Sequence, residues 1–298
     1  MHILVAGGTG FIGKNVCSEL VDRDHTVTAL SRSSDEALST GVSHHVGDVT
    51  DRSTLDEPLA DADVVINLVA LSPLFKTPKG QTHESVHLGG TENLVDAARA
   101  NNVDRFVQQS GLGVDPNGPT AYLRAKGQAE AVVRNSDLDW TITRPSVIFG
   151  EGDEFVGFTK RTKRLFAPLV PIAPLPGGGS QTRFQPIWVG DFAPVLADIA
   201  VKDDYVGDTL EFGGPRELTL ADVTRMVFQA DGRRVWIVSI PMPVAKVGVT
   251  IMEYVPYFPF GLDQYRSLRI NNTTDNNSIE RFVQSTDNLT TFEEYLGL

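Results

Sequence analysis

The first thirteen residues of this 298-residue chain constrain its fold more than any other stretch. A short aliphatic run, HILVA (2–6), leads directly into AGGTGFIG, in which Gly7, Gly10 and Gly13 stand three residues apart. Such a turn needs residues without a Cβ where the backbone bends and where a helix packs closely on a strand. The pattern therefore predicts a β-strand, a tight turn and a helix whose free N–H groups can hold a phosphate.

Strand and helix patterns alternate after this turn. The predicted strands cover residues 2–6, 26–31, 44–48, 63–70, 105–110 and 140–146. The predicted helices cover residues 11–23, 52–59, 84–101 and 120–135. Because the strands are apolar on both faces, the pattern indicates an α/β fold with a Rossmann-type doubly wound parallel sheet.

The pattern changes after residue 150, where a stretch rich in Gly, Pro and aromatic residues begins. The strand-like RFQPIWV, the helical GDFAPVLADIAV and the strand-like TLEFGG follow it, and helix, strand and helix patterns come after residue 219. We predict a dinucleotide-binding domain over 1–150, to which 183–213 returns. A smaller, interleaved substrate lobe is predicted over 151–298, and the cleft between the two is the expected ligand site.

Composition restricts the partners and the compartment. The chain has 38 acidic and 26 basic residues and a net charge of -12, which argues against nucleic acid and anionic membranes as partners. Only 8 of the basic residues are lysine, a composition typical of a halophilic protein but also compatible with an ordinary acidic one. A single cysteine, Cys17, excludes an internal disulfide, and no signal-peptide pattern is present, so a cytoplasmic location is expected.

The most apolar part of the chain is residues 240–262, where prolines, Lys246 and Glu253 interrupt the run. No uncharged apolar run reaches the length of about 18 residues that a membrane-spanning helix requires. A packed helix with loops is the prediction, and a contact with a partner subunit or with a membrane surface is the alternative. The oligomeric state does not follow from the sequence.

The end of the second strand indicates which dinucleotide binds. An NAD-preferring site places Asp or Glu there, to bind the ribose 2′-hydroxyl. This strand reads TVTALSRSS, with Arg32 between Ser31 and Ser33 and no acidic residue. An arginine can pair with a 2′-phosphate and serine hydroxyls can add hydrogen bonds, so we predict NADP(H) rather than NAD. A solvated loop arginine is the other interpretation.

Two further strand ends should meet the same cofactor. Asp48 and Val49 follow the third strand, where they can contact the adenine ring. Leu68, Val69 and Ala70 end the fourth strand, near the ribose and the pyrophosphate. Ligands of doubly wound sheets bind at this carboxyl edge.

The segment YLRAK places Tyr122 four residues before Lys126, on one face of a predicted helix. Together with AGGTGFIG, GDVTD, NLVA, GGTENLVDAA and RPSVIFG, it makes nearly the whole chain resemble the extended and atypical short-chain dehydrogenases/reductases. YLRAKGQAEAVV, RPSVIFGEGDEF and QPIWVGDFA are similar, more narrowly, to the branch that contains the NADPH-binding accessory subunit of respiratory complex I and its prokaryotic relatives.

The resemblance implies that Tyr122 is the general acid/base and that Lys126 binds the nicotinamide ribose and favours the tyrosinate. Active extended members carry a Ser or Thr just after the fifth strand, but here that position falls on Gly111 or Leu112. Ser110 comes slightly early, and it either orients the substrate oxygen as a third catalytic residue or only ends the strand. The further cofactor contacts that the turn and the resemblance imply are Thr9, Phe11, Ile12, His87, Pro145, Val147 and Ile148.

Several functions remain open on these residues. The chain is either an NADP(H)-dependent oxidoreductase acting on an apolar carbonyl or quinone-like substrate, or a structural subunit that holds NADPH without turnover. A nucleotide-sugar epimerase or dehydratase is the weaker alternative, because Val147 replaces the asparagine of those enzymes. Arg183 could bind an anion or pair with Asp191, and no metal site is predicted.

Overall fold

The computed structural model describes residues 1–33, 38–157, 159, 171–252 and 261–298. The chain divides into two compact units. The sheet unit comprises Met1–Leu71, Thr77–Pro145 and Val189–Glu211. The second unit comprises Ser72–Lys76, Ser146–Trp188 and Phe212–Leu298.

The strands and helices are numbered in chain order. The strands are β1 His2–Ala6, β2 Thr26–Ser31, β3 Val42–Val46, β4 Val64–Asn67, β5 Arg105–Gln109, β6 Asp139–Pro145, β7 Ile148–Phe149, β8 Ile172–Pro176, β9 Arg183–Phe184, β10 Ile187–Trp188, β11 Thr209–Phe212, β12 Leu218–Thr219 and β13 Trp236–Ile240. The helices are α1 Phe11–Asp22, α2 Asp56–Leu59, α3 Gly90–Ala100, α4 Ala121–Arg134, α5 Val189–Val201, α6 Leu220–Ala230, α7 Met242–Met252, α8 Leu262–Ser267 and α9 Phe292–Leu296.

Seven strands form the central sheet, in the order β11-β6-β5-β4-β1-β2-β3. The pairings from β3 through β6 are all parallel. Side chains on both faces of β1 and β4 are fully buried, as a sheet covered by helices on both sides requires. The predicted α/β fold with a Rossmann-type parallel sheet is confirmed.

Two predicted strands have different bounds in the structure. The third strand begins at Val42 and ends at Val46, two residues earlier than predicted. The fourth ends at Asn67, so the three predicted cofactor residues that follow it lie in a loop. The Asn67 side chain ends the strand, because its Oδ1 accepts a hydrogen bond from Val69 N at 3.2 Å.

The helix predicted over 84–101 is not uniform. Its first part, Glu84–Gly89, is a π-helical turn, in which Gly90 N donates to the carbonyl of Ser85, five residues back. The regular helix α3 begins only at Gly90, where a Cβ would lie 2.7 Å from a methyl carbon of Val49. Such single π turns are frequent at functional sites.

The helices of the sheet unit are fixed by caps and ion pairs. Thr120 caps α4 by accepting from Leu123 N at 3.2 Å. Arg23, which ends α1, pairs with Asp198 of α5 at 2.6 Å. Cys17 of α1 is fully buried, and burial raises the pKa of its thiol to about 12, so it packs as an apolar residue rather than as a nucleophile.

The second unit uses short strand pairs instead of one sheet. Strand β7 pairs with β10 and β8 with β13 in parallel, whereas β9 pairs with β12 antiparallel. The predicted strand RFQPIWV is two strands, since Pro186 falls between them and cannot donate a ladder hydrogen bond. A cluster around Phe149, Phe155 and Phe292 forms its core, with the rings of Phe149 and Phe292 5.1 Å apart and nearly perpendicular.

The apolar segment 240–262 forms helix α7, but that helix is not packed as predicted. Val244, Val247 and Ile251 are 60%, 60% and 62% exposed, and Ala245 is buried. Residues 253–260 of this segment lie outside the described residues. In the described part of the chain, no helix is both long enough and apolar enough to cross a membrane.

Candidate functional site

The glycine turn after β1 has the backbone geometry that a bound pyrophosphate needs. Gly7 adopts a φ of 82°, and a Cβ there would lie 3.2 Å from the backbone of Leu68 and Val69. A Cβ on Gly13 would lie 2.2 Å from the carbonyl oxygen of Gly7. Gly10 precedes α1 without a side-chain cap, so the first N–H groups of α1 are left for a ligand.

A cavity of about 260 Å³ opens at the carboxyl edge of the sheet. It is contained within the sheet unit. Its walls are formed by Gly7, Thr9, Gly10, Leu30, Ser31, Arg32, Ser33, Gly47, Asp48, Val49, Leu68, Val69, Ala70, Leu71, Gln81 and Val86. The structure thus brings together the turn and the predicted ends of β2, β3 and β4 around one space.

Five of these wall residues were not predicted: Leu30, Gly47, Leu71, Gln81 and Val86. The first three are direct neighbours of predicted residues. Gln81 and Val86 come from the segment before α3, to which the glycine spacing does not point. The Oε1 atom of Gln81 is buried without a hydrogen-bond partner, a condition that calls for a ligand or a water.

The predicted 2′-phosphate residues line one side of the cavity. Ser31 Oγ donates to the carbonyl of Ser33 at 2.8 Å. The same oxygen lies 2.9 Å from Nε2 of His44, a β3 residue to which no sequence motif points. Arg32 stands between the two serines, with its side chain exposed at the cavity wall.

Asp48, predicted to meet the adenine ring, is held in place by its own turn. Its Oδ1 accepts from Thr50 N at 2.9 Å and from Thr50 Oγ1 at 2.8 Å. This leaves the carboxylate fixed at the cavity wall, where it can accept from an amino group. Phe11, Ile12 and Gly13 begin α1 and lie outside the cavity wall.

Tyr122 lies in a different part of the sheet unit, which we call the Tyr122 corner: Tyr122, Lys126, His83, His87 and Gly111. The rings of His83 and His87 stack 5.4 Å apart. The Tyr122 ring stands edge-on to both, at 5.6 Å from His83 and 5.4 Å from His87. His83 directly precedes the π-helical turn and His87 lies within it, so the two histidines are four residues apart on one face.

The His87 ring is neutral, with one nitrogen accepting a hydrogen bond and the other carrying the hydrogen. Its Nε2 accepts from Leu71 N at 3.3 Å, which assigns the ring hydrogen to Nδ1. Burial, and then the positive charge of Lys126, lower the pKa of His87 well below its usual value. Its Nδ1 is buried without a hydrogen-bond partner, and Leu71 of the cavity wall holds the other side of the ring. His87 therefore joins the cavity to the Tyr122 corner.

Lys126 is only 2% exposed, and its Nζ donates to the carbonyl of Gln109 at 2.8 Å. Burial lowers the pKa of Lys126 to about 8, and the charge of Glu130 acts in the opposite direction. Burial raises the pKa of Tyr122 to about 12. Desolvation dominates the pKa values of both residues, and the Lys126 ammonium is bonded to Gln109. At neutral pH the tyrosine carries its proton.

Ser110 and Gly111 occupy different surroundings. Burial would raise the pKa of Glu130, but Arg144, whose nearest atom is 2.6 Å away, lowers it below its usual range. The Ser110 hydroxyl is buried and has no hydrogen-bond partner among the described residues. A Cβ on Gly111 would lie 3.3 Å from the Tyr122 hydroxyl. The tyrosine faces the glycine, and this placement favours the interpretation in which Ser110 only ends the strand.

The remaining predicted residues are not among those that line the cavity. Pro145 ends β6, where its carbonyl accepts from Leu112 N at 3.1 Å. Val147 and Ile148 belong to the second unit, where both bond or pair with Ile187 of β10. Arg183 pairs with Glu217 at 3.1 Å, so its predicted pairing with Asp191 is replaced by another carboxylate. Among the described residues, no group of His, Cys, Asp and Glu could hold a metal ion.

Comparison with known proteins agrees with this geometry. Residues 7–166 match the model of a family described as NAD(P)H-binding. This match covers more than half of the chain, and the chain belongs to this NAD(P)H-binding family, within the extended short-chain dehydrogenases/reductases.

Its relatives include the 40 kDa subunit of mitochondrial NADH-ubiquinone oxidoreductase from Neurospora crassa, which is 26% identical over 86% of this chain and 67% of that protein. The NAD(P)H azoreductase of Xenophilus azovorans is 27% identical over 84% of this chain and 81% of that protein. The structure of MoeE5 in complex with UDP-glucose and NAD superposes with a TM-score of 0.74 at 19% identity, over 100% of this chain and 96% of that one, and shows the shared fold. The resemblance to the complex I branch is confirmed as a distant homology.

Proposed function

We propose that this protein is an NADPH-dependent oxidoreductase that reduces an apolar carbonyl or quinone-like compound. The observation that carries the proposal is the position of Tyr122, one helical turn from Lys126 and in the same compact unit as the dinucleotide cavity. Burial raises the pKa of Tyr122 to about 12, so the hydroxyl keeps its proton at neutral pH. A tyrosine in this form can donate a proton to an oxygen on which negative charge develops.

The residues present fit a dinucleotide. Gly7 and Gly13 permit the tight turn that a pyrophosphate needs, because a Cβ at either position would press on neighbouring backbone atoms. Gln81 offers a buried acceptor without a partner. When bound, the nicotinamide supplies a hydride. Tyr122 would then give its hydroxyl proton to the substrate oxygen, and Lys126, charged below about pH 8, would stabilise the tyrosinate that is left.

The choice of NADP(H) rests on the side chains at the end of β2. Arg32 offers a guanidinium at the cavity wall, and Ser31 and Ser33 stand beside it. Guanidinium groups match phosphate geometry with two parallel hydrogen bonds. None of the described wall residues at the end of β2 is the acidic residue that would bind a ribose 2′-hydroxyl.

A structural subunit that holds NADPH without turnover is the second candidate. Gly111 favours it, because the hydroxyl that should orient a substrate oxygen is missing where Tyr122 points. The relation to complex I subunits favours it as well. In such a protein Tyr122 and Lys126 would contact the cofactor ribose only.

The contact predicted for 240–262 also stays a proposal. The exposed valines and isoleucine of α7 form an apolar stripe with spacings of three and four residues. Such a stripe is typical of a helix that packs on another surface, here a partner subunit or a membrane.

The first test is release of the bound cofactor by denaturation, followed by mass spectrometry and by absorbance changes with quinones, azo dyes and carbonyl compounds. We expect NADPH to be released and to be oxidised by at least one acceptor. Tyr122→Phe should lower kcat by about 10² to 10⁴ and leave the Kd for NADPH within about twofold. Tyr205→Phe, at a buried tyrosine of the same unit, is the matched control.

The two candidates give opposite results in this assay. NADPH that is bound tightly but stays inert with every acceptor would support the structural subunit. A chain that releases no dinucleotide and binds none on addition would contradict both.

A further inference from the structure

Strand β4 ends with a backbone N–H that leaves the parallel ladder. Leu68 N bonds to β1 at 2.9 Å, so the N–H of the next residue, Val69, would turn to β5 if the strand continued. The N–H that follows Gln109 bonds to β6 at 2.7 Å, so the Gln109 carbonyl turns to β4. In the register of β4 and β5, this carbonyl is the ladder partner that the Val69 N–H would have.

The side chain of Asn67 takes this N–H instead. Its Oδ1 accepts from Val69 N at 3.2 Å, in an Asx turn that ends the strand. Because a backbone N–H only donates, the amide nitrogen of Asn67 must face the other way, where it donates to Gln108 Oε1 at 2.9 Å. The orientations of both amides are therefore fixed by the backbone, and Gln108 Nε2 is left to donate to the Gln109 carbonyl.

The Gln109 carbonyl is thus left to side-chain donors. It accepts from Gln108 Nε2 at 3.1 Å and from Lys126 Nζ at 2.8 Å. These two bonds use both lone pairs of the oxygen. Among the described residues, no second acceptor lies within hydrogen-bond distance of Lys126 Nζ. Asn67 and Lys126 are both buried, so water does not replace a partner that either one loses.

We propose that Asn67 is a positioning residue for Lys126. By taking the Val69 N–H, it keeps the Gln109 carbonyl available to the ammonium, and the same hydrogen bond fixes the cavity wall at Val69. Without this acceptor, the Val69 N–H competes with Lys126 for the Gln109 carbonyl. The role of Lys126 in a reaction rests on the function proposed above, whereas its position does not.

The test follows the charge of Lys126 through folding stability. Because burial lowers the pKa of Lys126 to about 8, the free energy of unfolding should rise above that pH relative to the matching Lys126→Met protein. An ammonium that loses its acceptor holds its proton less tightly, so this rise should begin at lower pH. Urea titrations from about pH 6 to 10.5, with and without Lys126→Met, measure where the rise begins.

The decisive pair of variants is Asn67→Ala and Asn67→Ser, which differ by one hydroxyl. In Asn67→Ala the rise should begin about one pH unit lower, as for a weakened hydrogen bond to a charged group. In Asn67→Ser the hydroxyl accepts from the N–H two residues on, so the rise should begin within about 0.3 pH units of its original position. Asn67→Leu, which fills the space that alanine leaves, should behave as Asn67→Ala and replaces it if that variant does not fold.

Thr91→Val is the control within the same buried cluster. Thr91 Oγ1 accepts from the Asn67 amide at 3.2 Å and donates to the His87 carbonyl at 2.7 Å. Neither bond involves Gln109, so the rise should begin where it does in the unaltered protein. Every variant keeps the titratable groups around Lys126, which are Tyr122, Glu130, His83 and His87.

Four outcomes would overturn the inference. An unchanged rise in Asn67→Ala would show that Lys126 keeps its acceptor without Asn67. Equal shifts in Asn67→Ala and Asn67→Ser would assign the effect to the lost amide or to the space left behind. An equal shift in Thr91→Val would make it a general loosening of the cluster. A flat difference in the unaltered protein would mean that Lys126 is solvated.

Failure of the proposed function is distinguishable from these outcomes. A protein that holds NADPH but oxidises it with no acceptor would contradict the oxidoreductase. The titration would still show whether Asn67 positions Lys126, because it requires neither cofactor nor turnover.

Discussion

Helices α4 and α7 reverse the usual distribution of side chains in opposite ways. Helix α4 buries two charged residues, Lys126 and Glu130, at 2% and 1% exposure. Helix α7 leaves Val244, Val247 and Ile251 at its surface. Charged residues are rarely buried without partners, and apolar stripes are rarely left uncovered. The buried charges of α4 have partners inside the sheet unit. The apolar side chains of α7 are left uncovered by the described part of this chain.

The partners of the α4 charges explain why they can be buried. Glu130 pairs with Arg144 at 2.6 Å and with Arg134 at 2.8 Å. Lys126 donates to a strand carbonyl and lies one turn before Glu130. A buried ion pair adds little net stability but is costly to break. The two buried charges lie on the same face of α4 as Tyr122. Their burial therefore belongs to the surroundings of the candidate site.

The largest effect is expected from breaking the buried ion pair. Glu130→Gln should lower the free energy of unfolding at pH 7 by about 3 kcal/mol, because the carboxylate partner of Arg144 and Arg134 is lost. Since the pKa of Glu130 is depressed, its contribution is present above its ordinary pKa and should vanish as the pH falls through the lowered value. Urea titrations between pH 3 and pH 7 measure this.

Glu92→Gln, at an exposed position of α3, is the control for that experiment and should change stability by less than about 0.5 kcal/mol. Equal losses in the two variants would contradict the view that the buried carboxylate stabilises the sheet unit.

A second test uses the depressed pKa of Lys126. Between pH 8 and 10.5 the unfolded lysine holds a proton that the folded one has released, so the stability of the protein should rise with pH in this window. Between pH 8 and 10.5 the free energy of unfolding of the unaltered protein should rise by up to about 3 kcal/mol relative to that of Lys126→Met. Below pH 8 the difference between the two proteins should not change with pH. The raised pKa of Tyr122 lowers stability above pH 10 in both proteins and cancels.

The same comparison with Lys202→Met should show no rise, because Lys202 is at the surface and its pKa is raised by Asp198. A flat difference for Lys126→Met across the whole range would mean that the lysine is solvated in solution.

The smallest effect on folding is expected at α7. Replacing Val244, Val247 and Ile251 together by Gln should change the free energy of unfolding by less than about 1 kcal/mol, because these side chains bury little area. The same variant should lose any association of the protein with vesicles or with a partner. Co-sedimentation with vesicles of neutral and of acidic lipids, beside pull-down of a partner subunit, measures this.

A loss of several kcal/mol in the α7 variant would show that the helix is packed in solution, and the contrast with α4 would then fail. Vesicle binding that persists in the variant would place the membrane contact elsewhere.

The fold and the cavity could be predicted because both depend on local patterns. The ends of parallel strands meet at one edge, so Gly7, Arg32, Asp48 and Val69 could be assigned to one space from the position of each strand alone. Shifting β3 by two residues did not matter, since its following turn still reaches that edge.

The Tyr122 corner could be predicted only in part. The spacing of Tyr122 and Lys126 was visible in the sequence, but their pKa values depend on burial and on which groups approach them. Lys126 bonds to Gln109, 17 residues away, and His87 to Leu71, 16 residues away. The contacts of His83 with Tyr122 and of His44 with Ser31 likewise join separate segments, and no residue spacing encodes them.

Because Glu84–Gly89 is a π-helical turn, the number of residues in this segment cannot change without changing the structure. A π turn holds one more residue than the α-helical turn it replaces. Losing one residue here would restore a regular helix and rotate every preceding residue by about 100° around the axis. The same rotation would move Gln81 out of the cavity wall and would break the contact between the His83 and Tyr122 rings. Length changes should therefore be tolerated in the loops around this segment but not within it.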